Sequence, residues 1–242
     1  MKCRLCFKGE AIENSHIISK FLFKPLKEDE GKFYLLRAGK KSKYVLQDGP
    51  KEQMLCQDCE QKIGKWESYW RQVIFSRPED GDFGFRMRES GEGILFTGLD
   101  YKKIKLLQLS LLWRAHESKL DIFQEVDLGN HAERIRGMIL SEDPGQKTQY
   151  GCYLAGVLEE KGKMLINAIV PPIRGRLDGH ICYRALLGGL FWFWVVSSHS
   201  DRLRHADHLI GPEGELEIPL RLAENLPFFS NLGKAFKEAG LI

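Results

Sequence analysis

The sequence predicts an α+β protein, built from a small N-terminal module and a larger C-terminal α+β domain with an antiparallel sheet. Three observations carry that expectation. Four of the six cysteines form two Cys-x-x-Cys pairs, Cys3/Cys6 and Cys56/Cys59. Asp100–Leu120 sets apolar side chains at helical spacing. From Tyr150 onward, short apolar runs are broken by turns, several with a glycine, the pattern of consecutive strands.

Residues 1–76 hold the paired cysteines and end in Gln61–Phe75, where Ile63, Trp66, Trp70 and Val73 recur on one helical face. Residues 77–98 are rich in Gly, Asp and Glu, with Pro78 near their start, and read as a linker with one short strand at Gly93–Thr97. Residues 99–242 read as a separate unit. Ile104, Leu107 and Leu111, with Leu112 and Ala115 beside them, predict a long packed helix. A second helix, Asn130–Leu140, stops before Asp143-Pro144-Gly145. Tyr150–Leu158 and Met164–Val170 then flank a hairpin-type turn at Glu159–Lys163. Asp178-Gly179 marks another turn, followed by Ile181–Leu187 and Leu190–Ser197. Glu215–Leu220 predicts a last strand and Asn231–Ala239 a terminal helix. Strands joined by short turns imply an antiparallel sheet with helices to one side.

Composition bounds what such a protein does. The chain has 242 residues and 43% hydrophobic content, enough to pack a core and to exclude wholesale disorder. The most apolar stretch, Ala185–Val196, contains Gly188 and Gly189 and is too short to span a bilayer, so it reads as buried strand. Met1–Cys6 leads into charged sequence with no apolar signal region, which predicts a soluble, cytoplasmic protein. Net charge is +3, unevenly spread. Residues 1–76 carry fifteen Lys/Arg against ten Asp/Glu, or +5, leaving −2 for the rest, and Lys40, Lys41 and Lys43 form a local basic cluster. A basic N-terminal part suits a polyanion such as nucleic acid.

Paired Cys-x-x-Cys motifs in a chain without a secretory signal favour metal over disulfides. Two such knuckles supply the four tetrahedral thiolates that Zn2+ prefers, and they close a loop that ties a small region together. Four cysteines leave no vacant position for water, so the expected zinc is structural. Cys152 and Cys182 stand alone in apolar segments and read as small core residues.

The pattern Cys3-x-x-Cys6, Ser15-His16-Ile17-Ile18, Leu55-Cys56-x-x-Cys59-Glu60-x-Lys62 resembles the HNH, or ββα-metal, endonuclease family. It covers residues 1 to about 70 and is similar to the zinc-containing branch that includes phage junction resolvases. The resemblance implies a zinc-stabilised ββα module in which His16 is the general base, Ser15 the first ligand of a catalytic divalent ion and Glu60 the second. A histidine has the titration range to activate water near neutral pH, and Mg2+ or Mn2+ neutralises phosphate charge. Ser15 stands where the family usually has Asp, so the carboxylate falls to Glu60 or to Glu13, which shares a strand face with Ser15. Lys20, Lys62, Lys65 and Arg71 are candidate phosphate contacts.

Two functions follow as expectations. One is a metal-dependent nuclease acting on DNA, with residues 99–242 supplying specificity, dimerisation or partner binding, as in bacterial defence and mobile-element nucleases that the arrangement resembles. The other is a non-catalytic zinc module that binds nucleic acid or protein. A further group, His199, Asp201, His205, Asp207 and His208, and the arginines Arg174, Arg176 and Arg184, read as polar loop residues.

Overall fold

A computed structural model describes residues 1–24, 33–35, 44–46, 48–75, 84–91, 93–160, 162–166, 168–197, 203 and 206–226. Lys40, Lys41, Lys43, His199, Asp201, His205 and the helix expected at Asn231–Ala239 lie outside these residues.

The N-terminal strands are short. β1 (Ser15–His16) pairs antiparallel with β4 (Lys51–Glu52), and β2 (Phe33–Leu35) with β3 (Tyr44–Leu46). Helix α1 (Gln57–Phe75) starts four residues earlier than its apolar pattern indicates, because the second cysteine knuckle forms its first turn. Its buried face is Cys59, Ile63, Trp66, Trp70 and Val73, the stripe that the spacing predicts.

The larger sheet has seven strands in the order β5-β6-β11-β7-β10-β9-β8. These are β5 (Arg86–Ser90), β6 (Gly93–Thr97), β7 (Cys152–Leu158), β8 (Val170–Leu177), β9 (His180–Leu187), β10 (Leu190–Val195) and β11 (Leu216–Leu222). The sheet is mixed, which corrects the antiparallel expectation: β11 runs parallel to β7, with Leu220 opposite Gly156. A Cβ on Gly156 would come within 2.5 Å of the Leu220 side chain, whose tip fills the space that the glycine leaves. The stretch read as a linker contributes the β5–β6 hairpin, joined to the sheet through β11.

Two tight turns set the register of the other hairpins. Asp178 and Gly179 both have positive φ between β8 and β9, as do Gly188 and Gly189 between β9 and β10. That is type I′ geometry, whose twist matches the strands it joins. The strand expected at Met164–Val170 is displaced: Met164 makes only an isolated bridge to Leu158, and the extended run is β8. Arg174 and Arg176, read as loop residues, are the exposed positions of β8.

Helix α2 (Tyr101–Glu117) begins at Asp100, whose carboxylate accepts the Lys103 N–H at 3.0 Å. It is buried almost all round, and Trp194 of β10 donates to its Gln108 carbonyl. Helix α3 (His131–Ser141) closes on Glu142 in the left-handed conformation. One buried cluster runs from Cys3 and Leu5 through Trp70 and α2 to Trp192 and Ile218, with Trp70 edge-on to Trp192 at 5.9 Å. Cys152 and Cys182 are buried free cysteines in the sheet. No helix among the described residues is long and apolar enough to cross a membrane.

Candidate metal centre and the His16 site

The first knuckle is a tight turn in which Phe7 takes a positive φ and donates its N–H to the Cys3 carbonyl, while Cys3 donates to Gly9 O. Backbone bonds from Arg4 N to Met54 O and from Ile12 N to Leu55 O lay this turn against the second knuckle. Gly9 sits at the closest point: a Cβ there would lie 2.6 Å from Cys56 Cβ and 2.9 Å from its sulfur.

The result is a cluster of four sulfurs, Cys3, Cys6, Cys56 and Cys59, all within 4.8 Å of one another. Cys6 and Cys56 Sγ are 3.7 Å apart. Tetrahedral zinc with Zn–S bonds of about 2.3 Å separates its sulfurs by about 3.8 Å, so the tetrad is shaped for that ion. The thiols are also electrostatically strained against one another. Burial pushes the Cys56 and Cys59 thiols up, and in Cys59 the neighbouring sulfurs push the same way. At Cys6 burial works in that direction too, but hydrogen bonds from the Gly9 and Lys8 backbone and from neighbouring sulfurs outweigh it and bring the thiol down to about 6. Four sulfurs this close, two of them pushed toward the neutral thiol, suit a dication that balances thiolate charge. The protein therefore carries a cysteine tetrad able to hold a structural metal such as zinc.

His16 lies at the end of β1, opposite Lys51. Its side chain is about four-fifths buried, and Nε2 is 3.4 Å from Asp48 Oδ1. Asp48 is fixed in turn by Lys51 Nζ at 2.7 Å and by the Gly49 N–H. Burial lowers the His16 pKa, against the opposing pull of Asp48. Burial would raise that of Asp48, but Lys51, the Gly49 N–H and His16 outweigh it and hold the carboxyl below its usual range. The ring is therefore neutral and the carboxylate charged at neutral pH. A neutral imidazole that donates Nε2–H to Asp48 keeps a lone pair on Nδ1.

Behind the ring, the His16 carbonyl accepts Arg114 Nη1 at 2.7 Å, and Arg114 Nη2 reaches Glu67 Oε1 at 2.8 Å. Asp48, Glu67 and Arg114 are the neighbours that sequence reasoning missed. Arg114 did leave a trace: it is the one charged residue in the apolar run Leu109–Ala115. An arginine there must be either exposed or paired, and it is 1% exposed.

The other expected residues are dispersed. Ser15 is fully buried and its Oγ accepts the Leu55 N–H at 3.0 Å, so the hydroxyl serves the β1–β4 region. Glu13 is exposed. Glu60 lies in the first turn of α1, and its Oε1 is buried without a hydrogen-bond partner. Among the described residues, the cysteine tetrad is the one group of three or more His, Cys, Asp or Glu close enough to share an ion; His16, Glu13 and Glu60 form none. Lys62 donates to Leu140 O and pairs with Glu142 at the end of α3, while Lys20, Lys65 and Arg71 are exposed. His208 faces Glu217 at 3.7 Å.

No family model matches this chain, and no curated protein or solved structure is significantly similar to it.

Proposed function

We propose that this chain is a metal-dependent nuclease that hydrolyses phosphodiester bonds in DNA, with His16 as the general base. The observation that carries the reading is the largely buried His16 ring held against Asp48 at 3.4 Å. The arrangement leaves Nδ1 able to take a proton from water, with Asp48 stabilising the imidazolium that forms. Zinc at the four cysteines is structural and fixes the β1–β4–α1 frame around that ring. A Mg2+ or Mn2+ ion, when bound, supplies neutralisation of phosphate charge. Glu60 is its ligand in this reading, because a buried carboxylate oxygen without a donor is an oxygen that a cation would complete. Lys20, Lys65 and Arg71 are free at the surface to meet phosphates; Lys62 is committed to α3.

The test is cleavage of plasmid DNA by the zinc-loaded protein with added Mg2+ or Mn2+. His16→Ala should keep its zinc and its fold and lose about two or more orders of magnitude of activity. Glu60→Gln should raise the metal concentration needed for cleavage. Equal activity in His16→Ala removes it from the mechanism.

A second reading, a non-catalytic zinc module that binds nucleic acid or protein, is favoured by two observations: Ser15 Oγ is taken by a backbone N–H, and among the described residues no group of three ion-sharing side chains includes His16. A wild type that binds DNA and never cleaves it selects this reading.

A further inference from the structure

We propose that Arg114 is the positioning residue for His16, so that helix α2 of the C-terminal part is an integral wall of the nuclease site. The inference rests on the nuclease reading above and extends it to a residue nearly a hundred positions along the chain.

The geometry is specific. Arg114 is 1% exposed, and its guanidinium divides its donors among three segments. Nε donates to Ser110 O within α2 at 3.3 Å, Nη1 to the His16 carbonyl at 2.7 Å and Nη2 to Glu67 Oε1 on α1 at 2.8 Å. The same Glu67 oxygen accepts Ser19 Oγ at 2.7 Å. The run from His16 to Ser19 is therefore gripped at both ends, by the arginine at its start and by the arginine's own carboxylate partner at its finish.

This matters for the ring because a carbonyl fixed by a planar guanidinium fixes the peptide plane, and so the direction in which His16 Cβ leaves the backbone. β1 is two residues long and its pairing with β4 is correspondingly brief, so the strand alone constrains that direction weakly. The distance from Nε2 to Asp48 depends on it. A misplacement of about 1 Å at a general base can cost on the order of a hundredfold in rate. The alternative is that Arg114 and Glu67 are a buried ion pair that only supports packing. The two accounts part on the properties of the ring. The charged groups facing His16 are Asp48 and Lys51 from the β4 side and Glu67 from α1, with Arg114 of α2 behind its carbonyl. Removing the arginine leaves the Glu67 charge uncompensated in either account, so the discriminating variant is one that keeps the charge: a ring turned away from Asp48 then loses that carboxylate's support for imidazolium.

The experiment uses full-length, zinc-loaded protein carrying Arg114→Lys, which keeps the charge and loses the fork, and Arg114→Met, which loses both. NMR titration of the His16 ring is assigned by the signal missing in His16→Ala, and kcat and KM are measured on plasmid DNA with Mg2+. In Arg114→Lys the His16 midpoint should fall and kcat should drop at unchanged KM; in Arg114→Met kcat should fall tenfold or more. Folded variants with wild-type titration and wild-type kcat overturn the proposal and leave a packing ion pair. Should Arg114→Met not fold, the kcat of Arg114→Lys decides. Should the wild type cleave nothing, the nuclease reading falls and the titration of Arg114→Lys decides: with the charge kept, an unmoved midpoint overturns the clamp as well.

Discussion

Replacing Lys105 by Met should flatten the dependence of stability on pH between about 7 and 9. Lys105 lies on α2 at 1% exposure, with Nζ donating to Tyr150 O at 2.9 Å and Lys147 O at 3.3 Å and no carboxylate among the described residues bonded to it. Burial brings its pKa down to about 7, a little offset by Cys152. In the unfolded chain the side chain titrates near 10.5. Between these two pH values the unfolded state binds more protons than the native state, so stability rises with pH. The contribution is full above the unfolded pKa, falls as pH drops toward the folded one, and is constant below it. With those two midpoints, the rise from pH 7 to pH 9 is about 2 kcal/mol. Met removes the titrating group and leaves two carbonyls without a donor, so the absolute change at pH 7 is a balance of opposing effects. The difference in slope is not. Urea unfolding of both proteins at pH 7 and pH 9, with zinc saturating, isolates it, because every other titrating group is shared. Parallel stability curves would show that Lys105 is charged and well solvated in the native state, and would refute the reasoning.

Cys56→Ala should leave about one zinc per chain unbound and unfold residues 1 to about 70, since the ion's binding energy there is folding energy; a folded variant after exhaustive chelation argues otherwise. Gly9→Ala should fold but surrender zinc to a chelator more readily, by roughly five- to a hundredfold, because the added methyl overlaps Cys56 and overpacking costs about 1–3 kcal/mol; unchanged competition with a chromogenic chelator would contradict the close approach. Asp48→Asn should move the His16 titration midpoint down, since a unit charge 3.4 Å away favours imidazolium by about 1 kcal/mol even at the dielectric constant of water. An NMR midpoint that rises or stays put removes Asp48 as its partner.

Local chemistry was legible in the sequence and long-range pairing was not. The tetrad follows from spacing, because Cys-x-x-Cys can present two sulfurs to one ion only as a knuckle. The helices α1, α2 and α3 follow from apolar periodicity, and Asp178-Gly179 from the positive φ that its turn demands. β8 escaped because Pro171 and Pro172 interrupt the strand pattern at its start; they are tolerated on an edge strand of the sheet, where a register shift separates Val170 from Ile173. The parallel pairing of β11 with β7 joins residues more than sixty positions apart, and no local signal encodes it. At the site, His16 announces itself by its place between the knuckles, whereas Asp48 and Glu67 look like ordinary surface acids until the fold brings them beside it.

The N-terminal knuckles and strands are too short to bury much apolar surface of their own, and the chain meets that need in two ways. The cysteine tetrad ties Cys3 to Cys59 across the β1–β4 region. The rest of the chain supplies the packing. Trp70 rests edge-on against Trp192 of the sheet, Arg136 of α3 donates to Leu5 O and stacks over Phe7, and Arg4 donates to the Glu117 carbonyl. Glu52, on the strand that pairs with β1, accepts Ser118 Oγ and the Lys119 N–H just past the end of α2. Each of these contacts crosses the boundary that the composition of the sequence draws near residue 99, and one buried cluster continues through it. His16 stands where the two supports meet, with its strand tied to the knuckles on one side and its carbonyl held by α2 on the other. A metal at the cysteines holds the first side but not the second, so zinc content alone is a poor proxy for an intact His16 site. Loss of the α2 contact would leave the tetrad loaded and the ring misdirected.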